Sequence, residues 1–159
     1  MEQIIPVFDI NICIRLIASV LLGFVIGLER EMANKYAGLR TNILVCVGAC
    51  VFTLISIYGF PMVGISDAEY GTRDTARVAA QIVTGIGFIG GGTVLRHGAN
   101  VFGLTTAATL WAVASIGMAC GVGLFGIAIA TTLLCIIVLV AIGFGERHIL
   151  PTGVKNRVV

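Results

Sequence analysis

Five stretches of this chain approach the ~20 apolar residues needed to cross the hydrocarbon core of a bilayer. They are Ile10–Leu28, Thr41–Phe60, Ala76–Leu95, Phe102–Cys120 and Val122–Phe144, and they take up most of the 159 residues. Backbone N–H and C=O groups in lipid must be satisfied within the protein, so runs of this length fold as helices. The last two cannot form one kinked helix, because ~43 residues at ~1.5 Å each would overshoot any bilayer. Gly121 and Gly123 are therefore expected to form a very tight turn between them. The fold expected is all-α, a polytopic membrane bundle of five transmembrane helices.

Composition agrees. The chain is 58% hydrophobic and 11% charged, where a soluble domain carries about a quarter charged residues. A net charge of +2 is too small to suggest nucleic acid, and the partner expected first is the lipid bilayer itself. Short loops with Lys and Arg stay on the cytoplasmic side. Arg30, Lys35 and Arg40 lie in the first loop, Arg96 in the third, and Arg147, Lys155 and Arg157 in the tail. The opposite side has only Arg73 and Arg77, around the second loop. This asymmetry orients the N-terminus outside and the C-terminus in the cytoplasm. Met1–Asp9 lacks the basic region of a cleavable signal, so the first helix is expected to serve as both targeting signal and anchor.

Asp74 to Gly92 reads DTARVAAQIVTGIGFIGGG, a charged entry into a glycine-studded span. At helical periodicity Asp74, Arg77, Gln81, Gly85, Phe88 and Gly92 share one face. An anchoring helix has no need of such a face, whereas closely packed helices or the wall of a polar cavity do. Gly90–Gly92 is poor helix, and it marks either an unwound segment or a helix terminus. Similar faces run through Asn42, Cys46, Ala49, Thr53 and Ser56 in the second span, and through Thr105, Ala108, Thr109, Ala112, Ser115 and Ala119 in the fourth. In the first, Arg15, Ser19, Leu22, Ile26 and Arg30 align beside Gly23 and Gly27. Close helix packing explains the small residues better than a shared cavity does.

The ionisable residues admit several pairings. Arg15 either snorkels outward or pairs with an acid, Asp74 being the natural partner, and Asp74 can also pair with Arg77 at i,i+3. Asp67, Glu69 and Asp74 are weak candidates for meeting a hydrated Mg²⁺. Glu29, Arg30, Glu31 and Arg40 are expected to form a cytoplasmic charge network locking the first two helices. Cys13, Cys46, Cys50, Cys120 and Cys135 all fall in or at the ends of spans and read as small packing residues. No nucleophile–base set, phosphate loop or metal-ligand cluster occurs in the sequence. Neither an enzyme nor a cofactor is expected.

Five strings in order bear a further reading: GLERE at Gly27–Glu31, AGLRTN at Ala37–Asn42, LVCVGA at Leu44–Ala49, DTARVAAQIVTGIGFIGGG, and GLTTAATLWAVASIGMACG at Gly103–Gly121. Together they resemble the membrane domain of the MgtC/SapB family of bacterial proteins. Thr75 and Gly91 stand where many relatives carry proline and alanine. The resemblance implies a multi-pass bacterial inner-membrane domain over residues 1–145, with 146–159 as a short cytoplasmic tail. Many relatives continue into a cytoplasmic domain resembling ligand-binding ACT modules. The family is linked to growth in low magnesium and, in some pathogens, to survival inside macrophages. Matched position by position, its motif residues here are Glu29, Arg30, Arg40, Asn42, Asp74, Arg77, Gln81, Thr105, Thr106 and Trp111.

Two functions compete. One is regulation and stress adaptation through binding of other membrane proteins, such as an ion-pumping ATPase or a transporter. The other is a homo-oligomeric channel or transporter for Mg²⁺ or monovalent cations, centred on the third span. Against the second, Arg77 on the path would repel cations, and the spans lack an inverted repeat. A thin five-helix bundle with unsatisfied polar faces is also expected to form a homo-oligomer, a dimer in the simplest case.

Overall fold

The computed structural model describes residues 9–59, 76–97 and 100–142. Five helices carry the fold: α1 (Ile10–Met32), α2 (Leu39–Tyr58), α3 (Ala76–Gly92), α4 (Leu104–Val122) and α5 (Phe125–Ile137). A π-helical turn, Val138–Ile142, continues α5. Helices α1, α2 and α4 are each long and apolar enough to cross a membrane, and α5 with its extension makes a shorter apolar helix. The 17 residues of α3 span about 25 Å, and the helix begins where residues 60–75 leave off, outside the described residues. The protein is an all-α, multi-pass membrane bundle.

The turns follow from a few residues. Asn34, at φ 53°, supplies the left-handed residue that ends α1, a conformation asparagine tolerates better than most. The Lys35 N–H donates to the Arg30 carbonyl and the Asn34 N–H to the Glu31 carbonyl, each at 3.0 Å. These two bonds define a Schellman end. The same device ends α4: with Gly123 at φ 92°, Leu124 N–H reaches the Ala119 carbonyl at 2.8 Å and Gly123 N–H the Cys120 carbonyl at 3.0 Å. The tight turn is thus made by Gly123. Gly121 stays helical and buried.

The glycine run ends α3. Helical geometry persists to Gly92, and Thr93 then closes the terminus, its N–H and hydroxyl both donating to the Gly90 carbonyl at 3.0 and 2.7 Å. The third span was expected to reach Leu95. Instead Leu95–His97 pairs antiparallel with Asn100–Phe102 in a small hairpin, Leu95 opposite Phe102. Gly103, at φ 86°, turns this hairpin into α4; a Cβ there would lie 2.0 Å from the Thr93 carbonyl oxygen.

Glycines also set the helix crossings. A Cβ on Gly23 would sit 2.9 Å from Cys46 Cβ, and one on Gly27 2.9 Å from Leu39 Cα, so α1 and α2 touch backbone to backbone. A Cβ on Gly117 would meet the Cys46 carbonyl at 2.1 Å, and one on Gly121 the Cys50 carbonyl at 2.8 Å. Residue numbers rise together along α2 and α4, so these helices are parallel; α1 runs against α2. The core between them holds Ile26, Cys46, Cys50, Val113, Ile116 and Cys120. This alignment brings the first-loop cations Arg30, Lys35 and Arg40 and the hairpin residue Arg96 to one end of the bundle, the end that charge assigns to the cytoplasm. Helix α3 leans on this core from one side, and only Ile86 and Gly90 of its residues are buried.

Candidate functional site

Several polar side chains inside the bundle bind the chain's own backbone. At the cytoplasmic end Asn42, fully buried, donates through Nδ2 to the carbonyls of Ala37 at 2.9 Å and Gly38 at 2.8 Å. This ties the first turn of α2 to the loop before it. The other amide atom, Oδ1, has no hydrogen-bond partner among the described residues. Ser19, Thr53, Thr109 and Thr132 are buried too, and their hydroxyls donate to carbonyls three or four residues back at 2.7–2.8 Å. Hydroxyls that bond back along their own helix leave nothing unsatisfied in lipid.

The four charges expected to form one cytoplasmic network divide into separate tasks. Arg30 is 3% exposed and pairs with its neighbour Glu29, Nη2 donating to Oε1 at 2.7 Å with a second contact between Nε and Oε2. Burying a guanidinium is tolerable only with such a charge-assisted pair. Glu31 instead accepts the Leu39 N–H at 2.9 Å, satisfying one of the orphan donors at the start of α2. Arg40 is exposed and has no ion pair among the described residues.

Arg15 marks the opposite end. Its Nη1 donates to the Gly121 carbonyl at 2.8 Å and to the Tyr58 hydroxyl at 3.3 Å, and its guanidinium carbon lies 5.8 Å from the Tyr58 ring centroid. One side chain thereby joins α1, α2 and the end of α4. Sequence reasoning looked for a carboxylate partner and missed this carbonyl. The available signal was Gly121 with Gly123, two residues without side chains to cover the last carbonyls of α4.

The remaining candidates separate into inner and outer positions. Asn42 and Thr106 are buried. Thr105 is exposed, and Trp111, 56% exposed, stands on the outer side of α4. Arg77 and Gln81 are exposed on α3, on a face that Phe88, 88% exposed, continues. The polar, notched stripe of the third span thus looks out of the bundle. It borders an open groove of about 700 Å³ between α2 and α3, with Gln81 the polar residue on the α3 wall. Asp67, Glu69 and Asp74 lie outside the described residues. Among the described residues no group of three or more His, Cys, Asp or Glu side chains is placed to hold a metal ion. Cys46, Cys50 and Cys120 are packed in the core as free thiols.

A bundle of apolar helices crossing on glycine defines a multi-pass membrane protein. The MgtC family profile matches residues 16–148, and the chain belongs to the MgtC family. It is 48% identical to the protein MgtC of Salmonella typhimurium over 121 residues, covering 76% of this chain and 48% of that protein. It is 42% identical to YhiD of Escherichia coli over 126 residues, 79% of this chain and 58% of YhiD. The chain therefore spans about half the length of the curated relatives it matches. No solved structure matches it.

Proposed function

We propose that this membrane domain serves adaptation to magnesium limitation by binding and regulating other membrane proteins, ion-pumping ATPases among them. YhiD, a relative, is named as a candidate magnesium transporter, and that name supports the magnesium link. The observation that carries the regulatory reading is the use of the interior polar groups. Asn42, Thr53, Thr109 and Thr132 all donate to carbonyls of their own helix or of the turn before it, and this use supports a packing role over an ion path. The polar and notched surface of α3, Gln81 with Gly85, faces outward, where another protein could meet it.

The test is ATP-driven proton pumping by inverted membrane vesicles, with and without this protein, at matched ATPase content. Altered pumping in the loaded vesicles is expected, restored when the protein is removed. Identical pumping across a range of protein amounts would count against regulation of an ion-pumping ATPase. The cation-transport reading rests on the name of YhiD and on the exposed polar stripe of α3. It requires a second element to close a path around that stripe.

A further inference from the structure

We infer that the α2–α3 groove and a polar pocket beside it form one binding site for a phospholipid of the cytoplasmic leaflet. An acyl chain lies in the groove, and a zwitterionic headgroup, a phosphate with a primary ammonium, lies in the pocket. The inference does not depend on the regulatory reading and survives its failure; a partner protein would meet the seated lipid as part of the same face.

Continuity is the first observation. The groove, about 700 Å³, runs along α2 from Thr41 to Phe52 and is notched by Gly48 and Gly85. A second cavity of about 420 Å³ opens at the start of α2, where Glu31, Tyr36 and Arg40 are among its walls. Thr41 lines both, so apolar walls give way to polar ones at the end of the bundle that charge assigns to the cytoplasm. Depth agrees. Thr41 to Phe52 covers about 16 Å of helix, roughly half of the ~30 Å hydrocarbon core. That is the depth of one leaflet, which suits an acyl chain; a partner's transmembrane helix would span the whole core.

Charge selects the headgroup. The pocket holds one anion and one cation that do not pair with each other. Glu31 is fixed there by the bond from the Leu39 N–H at 2.9 Å. Its approach depends on the bare backbone of Gly38, where a Cβ would collide with Oε2. The other carboxylate oxygen, Oε1, has no hydrogen bond among the described residues. Arg40 is exposed, and among the described residues its guanidinium has neither ion pair nor hydrogen bond. A guanidinium fork matches phosphate oxygens, and a carboxylate oxygen accepts from an ammonium. A headgroup carrying both charges satisfies both residues. An anionic headgroup without an amine would satisfy Arg40 and be repelled by Glu31. Water can hydrate either charge, but it does not fill an apolar groove in hydrocarbon; an amphiphile uses both parts of the site.

The test uses the full chain, delipidated in detergent, with phosphatidylethanolamine or phosphatidylglycerol of the same acyl chains added back and binding read by native mass spectrometry. One phosphatidylethanolamine per chain is expected, held about tenfold more tightly than phosphatidylglycerol, the scale of one charge-assisted hydrogen bond. Glu31→Gln keeps an oxygen for the Leu39 N–H and removes the charge, so it is expected to erase the preference. Arg40→Gln is expected to weaken both lipids. Gly85→Leu fills the groove and is expected to weaken both as well. Gly126→Leu, on α5 where a Cβ also meets nothing within 4 Å, is expected to change neither. Phosphatidylglycerol held as tightly as phosphatidylethanolamine, a preference that survives Glu31→Gln, equal binding by Gly85→Leu and Gly126→Leu, or a second copy of the chain in place of lipid would each overturn the inference.

Discussion

Arg15 and Gly121 are joined by a 2.8 Å hydrogen bond across 106 residues of sequence, at the end of the bundle opposite the basic loops. The acceptor is one of the last carbonyls of α4, which have no helical partner and carry the negative end of the helix dipole. Gly123 lies against the same guanidinium: a Cβ there would come within 3.2 Å of an Arg15 nitrogen. Arg15 is therefore held by backbone, a ring and a phenol without a carboxylate among the described residues. Arg15→Ala is expected to cost about 2 kcal/mol, the range of a charge-assisted bond, with Tyr58→Phe costing less than half as much. Thermal unfolding in lipid–detergent micelles measures both.

Helix crossing at Gly117 gives a sharper contrast. A Cβ there would lie 2.1 Å from the Cys46 carbonyl, whereas one on Gly87 would meet nothing within 4 Å. Gly117→Ala must separate α2 from α4 and is expected to destabilise by about 2 kcal/mol or more. Gly87→Ala gains helix propensity of up to about 1 kcal/mol and is expected to be neutral or stabilising. Equal effects at the two positions would show that α2 and α4 do not cross there.

Asn42 predicts a charge effect. Its Nδ2 serves two carbonyls, Ala37 and Gly38, in a site with no exposure. Asn42→Asp removes both donors and turns a buried negative charge toward two carbonyl oxygens. A loss of about 3 kcal/mol or more is expected, seen as poor accumulation of the variant and as aggregation on mild heating. Asn42→Gln, which keeps the donor group, is expected to do less harm.

Glu31 at the start of α2 is a cap, so Glu31→Ala is expected to cost about 1 kcal/mol and to speed amide exchange at Leu39 first. Arg40→Ala, removing an exposed side chain with no ion pair among the described residues, is expected to leave stability within about 0.5 kcal/mol of the native chain.

The second helix was the most legible part of the sequence. Asn42, Cys46, Ala49, Thr53 and Ser56 align at helical spacing, and all are buried. The fourth helix was less so. Its small-polar face includes Thr105, Ala108 and Ser115, which are exposed, while Thr106, Leu110, Val113 and Gly117 face the core. Lipid explains the difference. In water a polar face points outward and apolar residues inward, but in hydrocarbon both faces of a helix are apolar and small residues serve any close contact. Span positions depend on total hydropathy and were readable to within a few residues. The direction a face takes depends on its neighbours, which is why the stripe of α3 could be seen in the sequence without revealing that it looks outward. The caps were hidden for a related reason: Glu31 and Arg15 bind backbone atoms, which leave no trace in side-chain pairing.

We propose that this bundle works by binding other membrane proteins and not by conducting ions. Mg²⁺ flux into proteoliposomes, compared among the purified native chain, Arg77→Ala and empty liposomes, tests it most directly. The native and substituted proteins, correctly inserted and folded, are expected to match empty liposomes. Mg²⁺ entry above that level, changed by Arg77→Ala, would contradict it and put an ion path along α3.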